Sequence, residues 1–167
     1  MLLSTPSTQS KTAREKDAIG NDFFFFDKIN AQCHPQPVFK MDTHPVDVLV
    51  AEDEPLNMLL ISEVLKNMGC NVIKACNGEE AVAILKHRKP ALIFMDLNMP
   101  EMDGYEATRT IRQLPGSQKN TPIIALTADV MKEDQDRCLQ AGMNHYISKP
   151  FARKRIEEIL KYYVSAA

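Results

Sequence analysis

The sequence predicts an α/β fold in which a parallel sheet carries helices on both faces. From residue 46 onward, short apolar runs rich in branched residues alternate five times with segments of helical period, the pattern of strands joined by crossover helices. The runs "VDVLVA", "ALIFM" and "PIIAL" are nearly continuous in apolar residues, as parallel strands covered on both sides must be. A hydrophobic content of 44% supports a real core, and 25% charged residues is typical of a globular chain.

The elements follow in order. The first strand is expected at residues 46–51 and leads into a helix at 55–68. Pro55 suits its first turn, where a missing N–H costs nothing. Its core face reads as Leu60, Ile61, Val64, Leu65 and Met68. A strand at 71–75 and a helix at 78–88 come next. The third strand, 91–95, runs five apolar residues straight into a lone carboxylate, Asp96. Pro100 and Gly104 then break the chain before a helix at 104–113. A strand at 121–127, a helix at 131–141, a strand at 145–148 and a helix at 152–164 complete the set. The last helix offers Ile156, Ile159, Leu160 and Tyr163 to the core. Each crossover must be right-handed.

Residues 1–45 read as a separate N-terminal tail and residues 46–167 as the domain. Residues 1–22 are rich in Ser, Thr, Lys and Gln without periodicity, which fits a disordered segment. The four phenylalanines at 23–26 read as a local apolar patch in preference to a docking anchor. Met41 stands just before the first strand and offers an alternative start. The net charge of −2 invites no nucleic acid, and Arg153-Lys154-Arg155 reads as a solvated helix face. Cys33, Cys70, Cys76 and Cys138 stand in no C-x-x-C spacing and read as free thiols. The four histidines have no metal-ligand spacing. No apolar stretch reaches the ~18 residues of a membrane span, and "MLLSTP" lacks the apolar stretch of a signal peptide. A cytoplasmic location without membrane insertion is expected.

In an open α/β sheet, ligands bind beyond the carboxyl ends of the strands. Glu52 and Asp53 follow the first strand, Asp96 the third, Thr127 and Ala128 end the fourth, and Lys149-Pro150 the fifth. Three carboxylates would converge on one edge. Two unit charges 4 Å apart repel by about 4 kcal/mol at an effective dielectric near 20, and Lys149 alone cannot neutralise three. Hard oxygen ligands suit Mg²⁺, which Asp53 and Asp96 could hold while leaving positions for water and a phosphate. A carboxylate such as Asp96 can attack a phosphoryl group. Its loose transition state asks mainly for positioning and charge neutralisation. Mg²⁺, Lys149, and Thr127 with the Ala128 N–H would take one phosphoryl oxygen each.

These residues resemble a known family. "VLVAEDEPLN", "LIFMDLNMPEMDGYEATRTIR", "TPIIALTAD" and "AGMNHYISKP" are similar to the receiver domain of two-component response regulators, most of all to the receivers of hybrid histidine kinases. The resemblance covers residues 46–164. It implies a flavodoxin-like (βα)5 fold with strand order 2-1-3-4-5. It also implies a phosphorelay role: Asp96 accepts a phosphoryl group from a phosphohistidine on a histidine kinase or histidine phosphotransferase. Such a domain is no general enzyme and catalyses only its own phosphorylation and dephosphorylation.

The family pattern implies that Mg²⁺ is bound by Asp53, Asp96 and the main-chain carbonyl of Asn98, with Glu52 acting through water. Thr127 and Tyr146 match the switching pair, while Asn98 and Asp129 fall where the family tunes dephosphorylation. Glu52 departs from the frequent Asp-Asp pair. The Lys149–Pro150 bond is expected to be cis.

On the first helix, at 100° per residue, Leu56 and Leu59 fall off the core stripe and read as part of a surface for docking the phosphodonor. A homodimer formed on phosphorylation is a further partner the resemblance brings into view. Three other readings compete. A haloacid dehalogenase-like phosphatase would carry a second Asp two residues after the nucleophile, where Asn98 stands, and Asn cannot serve as its general acid. A flavin-binding module would follow its first strand with a Ser/Thr/Gly-rich loop, and "AEDEP" is acidic. A pseudo-receiver that acts without phosphorylation is disfavoured by the complete residue set.

Overall fold

The computed structural model describes residues 45–128 and 132–164. The tail, including the four-phenylalanine run, and Asp129 lie outside the described residues. Five strands, β1 (Val46–Ala51), β2 (Cys70–Ala75), β3 (Leu92–Asp96), β4 (Ile123–Thr127) and β5 (His145–Ser148), alternate with helices. These are α1 (Pro55–Asn67), α2 (Gly78–Leu85), α3 (Gly104–Arg112), α4 (Lys132–Ala141) and α5 (Arg153–Val164). A single turn of 3-10 helix, Ser117–Asn120, precedes β4. All pairings are parallel and the order is β2-β1-β3-β4-β5, as the resemblance implied.

The sheet separates two apolar cores, and strand alternation distributes side chains between them. Val48, Val50, Phe94 and Leu126 pack with Met58, Ile61 and Leu65 of α1 and with Ile156, Ile159 and Leu160 of α5. Leu49, Ala51, Ile93, Met95 and Ala125 pack with Val82 and Leu85 of α2, Ile111 of α3 and Cys138 and Ala141 of α4. All five residues of β3 and of β4 are buried, which is why those segments are apolar without a break. Local chemistry sets the helix ends. The Asn77 side chain accepts a hydrogen bond from the Glu80 N–H, and Asp103 from the Glu106 N–H, capping α2 and α3. Gly69, at φ +86°, closes α1 in the left-handed conformation that favours glycine.

Two expectations need correction. Helix α2 ends at Leu85, not at residue 88. Its core face stops there, and a residue preceding proline, here Lys89 before Pro90, is pushed out of helical conformation. On α1, Leu60 is not a core residue. It is 53% exposed, while Met58, Ile61, Ser62, Leu65 and Met68 are buried. Leu60 stands five residues from Leu65, about 140° around the helix, so the two cannot share a face. The buried stripe includes Ser62, whose hydroxyl points at the Met58 sulfur, 3.6 Å away.

At the end of the sheet away from Asp96, Arg112 ties several segments together. Its Nε donates to the Gly142 carbonyl at 2.9 Å, Nη1 to the Lys119 and Thr121 carbonyls at 2.7 and 2.9 Å, and Nη2 to Asn144 Oδ1 at 2.9 Å. Burial lowers its pKa, and the carbonyl oxygens compensate part of the lost hydration. Among the described residues no helix is long and apolar enough to cross a membrane.

Candidate metal and phosphoryl site

Sheet register assembles the site. Ala51 pairs with Met95, Asp96 with Leu126, and Thr127 with Ser148. The residues just past these pairs therefore share one edge: Glu52 and Asp53 beyond β1, Asp96 closing β3, Thr127 closing β4, and Lys149 beyond β5. The Lys149 N–H donates to the Thr127 carbonyl at 2.7 Å, and the Lys149–Pro150 bond is cis.

The Lys149 ammonium lies between two buried carboxylates. Its Nζ is 2.7 Å from Asp96 Oδ2, and 2.8 and 3.1 Å from Glu52 Oε2 and Oε1. Glu52 is 1% exposed and Asp96 4%, so these are low-dielectric contacts. Burial pushes the Glu52 carboxyl above its ordinary pKa; Lys149 and Asn57 pull it back, and the Asp96 charge adds to the rise. For Lys149, burial works against the charged form, yet the hydrogen bonds to Asp96 and Glu52 outweigh it and hold the ammonium above its usual pKa. Lys149 is protonated at neutral pH.

One ammonium does not neutralise the edge. Carboxylate oxygens of Glu52, Asp53 and Asp96 lie within 4.8 Å of one another, and Asp53 is exposed at the mouth. Glu52 Oε2 accepts no hydrogen bond among the described residues, although it is ion-paired to Lys149. Three oxygen donors of this kind, with a net negative charge and one open side, fit a hard divalent cation such as Mg²⁺. The Asn98 backbone N–H donates to Asp96 Oδ1 at 3.3 Å and orients the carboxylate, while the Asn98 side chain faces outward.

Thr127 is 6% exposed, and Ala128 beside it is exposed. Both open on a cavity of about 250 Å³ that also touches Asn98, Tyr105, Asp134 and Arg137. The Arg137 guanidinium sits 4.5 Å from the centroid of the Tyr105 ring. Tyr146 is half-buried and packs against the core on the α2–α4 side. Its register partner is Ala125, two residues before Thr127, so Tyr146 and Thr127 share a sheet face. Leu56 and Leu59 are 60% and 51% exposed. With Leu60 they form an apolar stripe along the outer face of α1, immediately beside the acidic edge.

Two contributors escaped the sequence reading. Asn57 Nδ2 donates to Glu52 Oε1 at 3.0 Å and fixes the buried carboxylate from the first turn of α1. Gly104 lies so close to the end of β3 that a Cβ there would sit 2.1 Å from the Asp96 carbonyl oxygen, and its N–H donates to the Leu97 carbonyl at 3.1 Å. The signals were an amide residue two positions after Pro55, and a glycine opening a helix eight residues after the carboxylate.

Comparison with known proteins identifies the family and the fold. Residues 48–161 match the family model of the response regulator receiver domain. Hybrid signal transduction histidine kinase L of Dictyostelium discoideum is 40% identical over 121 residues, 70% of this chain but only 7% of that protein. The polar-differentiation response regulator DivK of Brucella anthropi is 37% identical over 123 residues, 74% of this chain and 99% of its own length. Among solved structures, the receiver domain of sensor histidine kinase PA1611 from Pseudomonas aeruginosa carries a magnesium ion in its active-site cleft. It is 38% identical, with a TM-score of 0.68 over 72% of this chain and 98% of that one. A further match (30% identical, TM-score 0.66, 72% of this chain and 89% of that one) comes from a yeast co-crystal structure. That complex pairs the Saccharomyces cerevisiae histidine phosphotransfer protein Ypd1 with the receiver domain of Ssk1.

The Gly104 contact makes a direct prediction. Gly104→Ala forces the β3 end and the start of α3 apart, and overpacking of this kind costs about 1–3 kcal/mol. A urea titration should show a lower midpoint than wild type with an unchanged slope, and an unchanged midpoint would show that the loop yields freely.

Proposed function

The chain belongs to the response regulator receiver domain family of two-component signalling, and from that premise we propose that Asp96 is its phosphoacceptor. The supporting observation is the Lys149 ammonium held 2.7 Å from Asp96 and 2.8 Å from Glu52 within a cluster of three carboxylates. A carboxylate oxygen of Asp96 forms a bond to phosphorus as the P–N bond of a donor phosphohistidine breaks. The electron pair leaves with the imidazole, which regains a proton. Lys149 stays within reach of the developing charge. The Thr127 hydroxyl and the Ala128 N–H bind one phosphoryl oxygen at the cavity mouth.

Asp53, Asp96 and the Asn98 carbonyl would hold Mg²⁺, with Glu52 contributing through water. When bound, the ion neutralises phosphoryl oxygens and the carboxylate cluster together. Thr127 and Tyr146 form the switch. The hydroxyl moves toward the phosphoryl group, and the ring, already on the same sheet face, turns inward behind it. Asn98 and Asp129 tune the lifetime of the acyl phosphate. The domain acts catalytically only on its own aspartate, within residues 46–167, and the reading carries a cytoplasmic location.

The donor is a histidine kinase or a histidine phosphotransferase. Supporting this are the yeast co-crystal structure, in which a similar receiver partners Ypd1, and the exposed leucines of α1. Leu56 and Leu59 dock the donor, and Leu60 extends the same stripe.

Incubation with Mg²⁺ and acetyl phosphate, read by intact mass, should add one phosphoryl group to the wild type. None should appear on Asp96→Asn or in EDTA. An unmodified wild type, or equal modification of Asp96→Asn, would contradict the assignment. Fully burying a leucine is worth about 1.5–3 kcal/mol. The double variant Leu56→Ala, Leu59→Ala should therefore take phosphate from a phosphohistidine protein about tenfold or more slowly, with labelling by acetyl phosphate unchanged. Equal transfer rates would rule out docking through these leucines.

A further inference from the structure

The contacts of Glu52 point to a residue outside the phosphoryl chemistry proper. Glu52 is the first residue after β1, and its carboxylate is buried at the floor of the site. Its two oxygens face Lys149 at 2.8 and 3.1 Å, and Oε1 also accepts a hydrogen bond from Asn57 Nδ2 at 3.0 Å. Lys149 in turn reaches Asp96 at 2.7 Å. Asn57, Glu52, Lys149 and Asp96 thus form one continuous chain from the first turn of α1 to the phosphoacceptor.

A glutamate side chain has one more rotatable bond than an aspartate, and its carboxylate needs a fixed partner to hold one orientation. Asn57 supplies it. Pro55, in the first turn, starts the helix so that Asn57 faces back toward the end of β1. The amide is neutral, so it holds the carboxylate without competing with Lys149 for its charge. Leu56 precedes Asn57 in the same turn and is 60% exposed. The turn that presents the docking stripe therefore also carries the amide at the far end of the chain.

We propose that Asn57 is a positioning residue: by fixing the Glu52 carboxylate it sets where Lys149 stands relative to Asp96, and so sets the rate of phosphorylation. The proposal rests on the reading of Asp96 as phosphoacceptor, and the experiment separates the two.

The whole chain is labelled with acetyl phosphate at saturating Mg²⁺, and initial rates are compared by intact mass. A hydrogen bond to a charged group is a strong one, and its loss should slow Asn57→Ala by about fivefold to tenfold. Asn57→Asp keeps the shape but replaces the donor with a second carboxylate, and should be slower still. Because Asn57 acts through Glu52, the double variant Asn57→Ala, Glu52→Gln should be no slower than Glu52→Gln alone.

A second readout needs no phosphodonor. In the metal-free protein the Lys149 ammonium resonance should shift in Asn57→Ala. Wild-type rates in both Asn57 variants, multiplying effects in the double variant, or an unmoved Lys149 signal would each overturn the proposal. A wild type that takes no phosphate would overturn the reading of Asp96 and this proposal with it. A labelled wild type matched in rate by both Asn57 variants would overturn this proposal alone.

Discussion

The Lys149 ammonium, wedged between the buried carboxylates of Glu52 and Asp96, is the constraint on which the rest of the structure depends. Two acids this deep in a protein are unfavourable unless paired and hydrogen-bonded. Burial raises the pKa of Glu52, while the same two carboxylates hold Lys149 in its charged form against its own burial. The pairing leaves a charge deficit, since Asp53 adds a third carboxylate to the cluster. A site built this way keeps a net negative charge that suits a hard divalent cation.

That constraint explains the architecture around it. The three groups of the clamp come from the ends of β1, β3 and β5, more than forty residues apart in sequence between each neighbour. The parallel sheet brings those ends to one edge, and the order β2-β1-β3-β4-β5 sets β1 directly beside β3. Fully buried β3 and β4 fix the register, because a one-residue slip would carry every side chain to the wrong core. Gly104 then lets α3 start directly against the Asp96 carbonyl, and the Asn98 N–H steadies the carboxylate itself. The exposed leucines of α1 lie beside the same edge, so the apolar stripe and the Asp96 carboxylate occupy one end of the molecule.

Much of this was legible in the sequence, and the reasons are specific. "ALIFM" and "PIIAL" read as strands covered on both faces, Asp96 and Thr127 stood out because each closes such a run, and Lys149 because it follows the fifth strand. Leu60 was misplaced because residue type was read ahead of helical angle, while the buried Ser62 hid part of the true stripe. Asn57 was missed because its partner lies five residues back, across the turn between β1 and α1. Arg112 was missed because it bonds mostly main-chain carbonyls, which every residue possesses and no side-chain pattern announces. The lost information was therefore mainly about polar groups whose partners are set by tertiary geometry.

The central claim is that this acidic edge is one cation short of neutrality, and calorimetric titration with Mg²⁺ tests it most directly. The account predicts saturable binding at a single site, weakened about tenfold or more by Asp53→Asn, in line with the loss of one charged ligand near a divalent ion. Absence of saturable binding to the folded wild type, or equal affinity in Asp53→Asn, would contradict it.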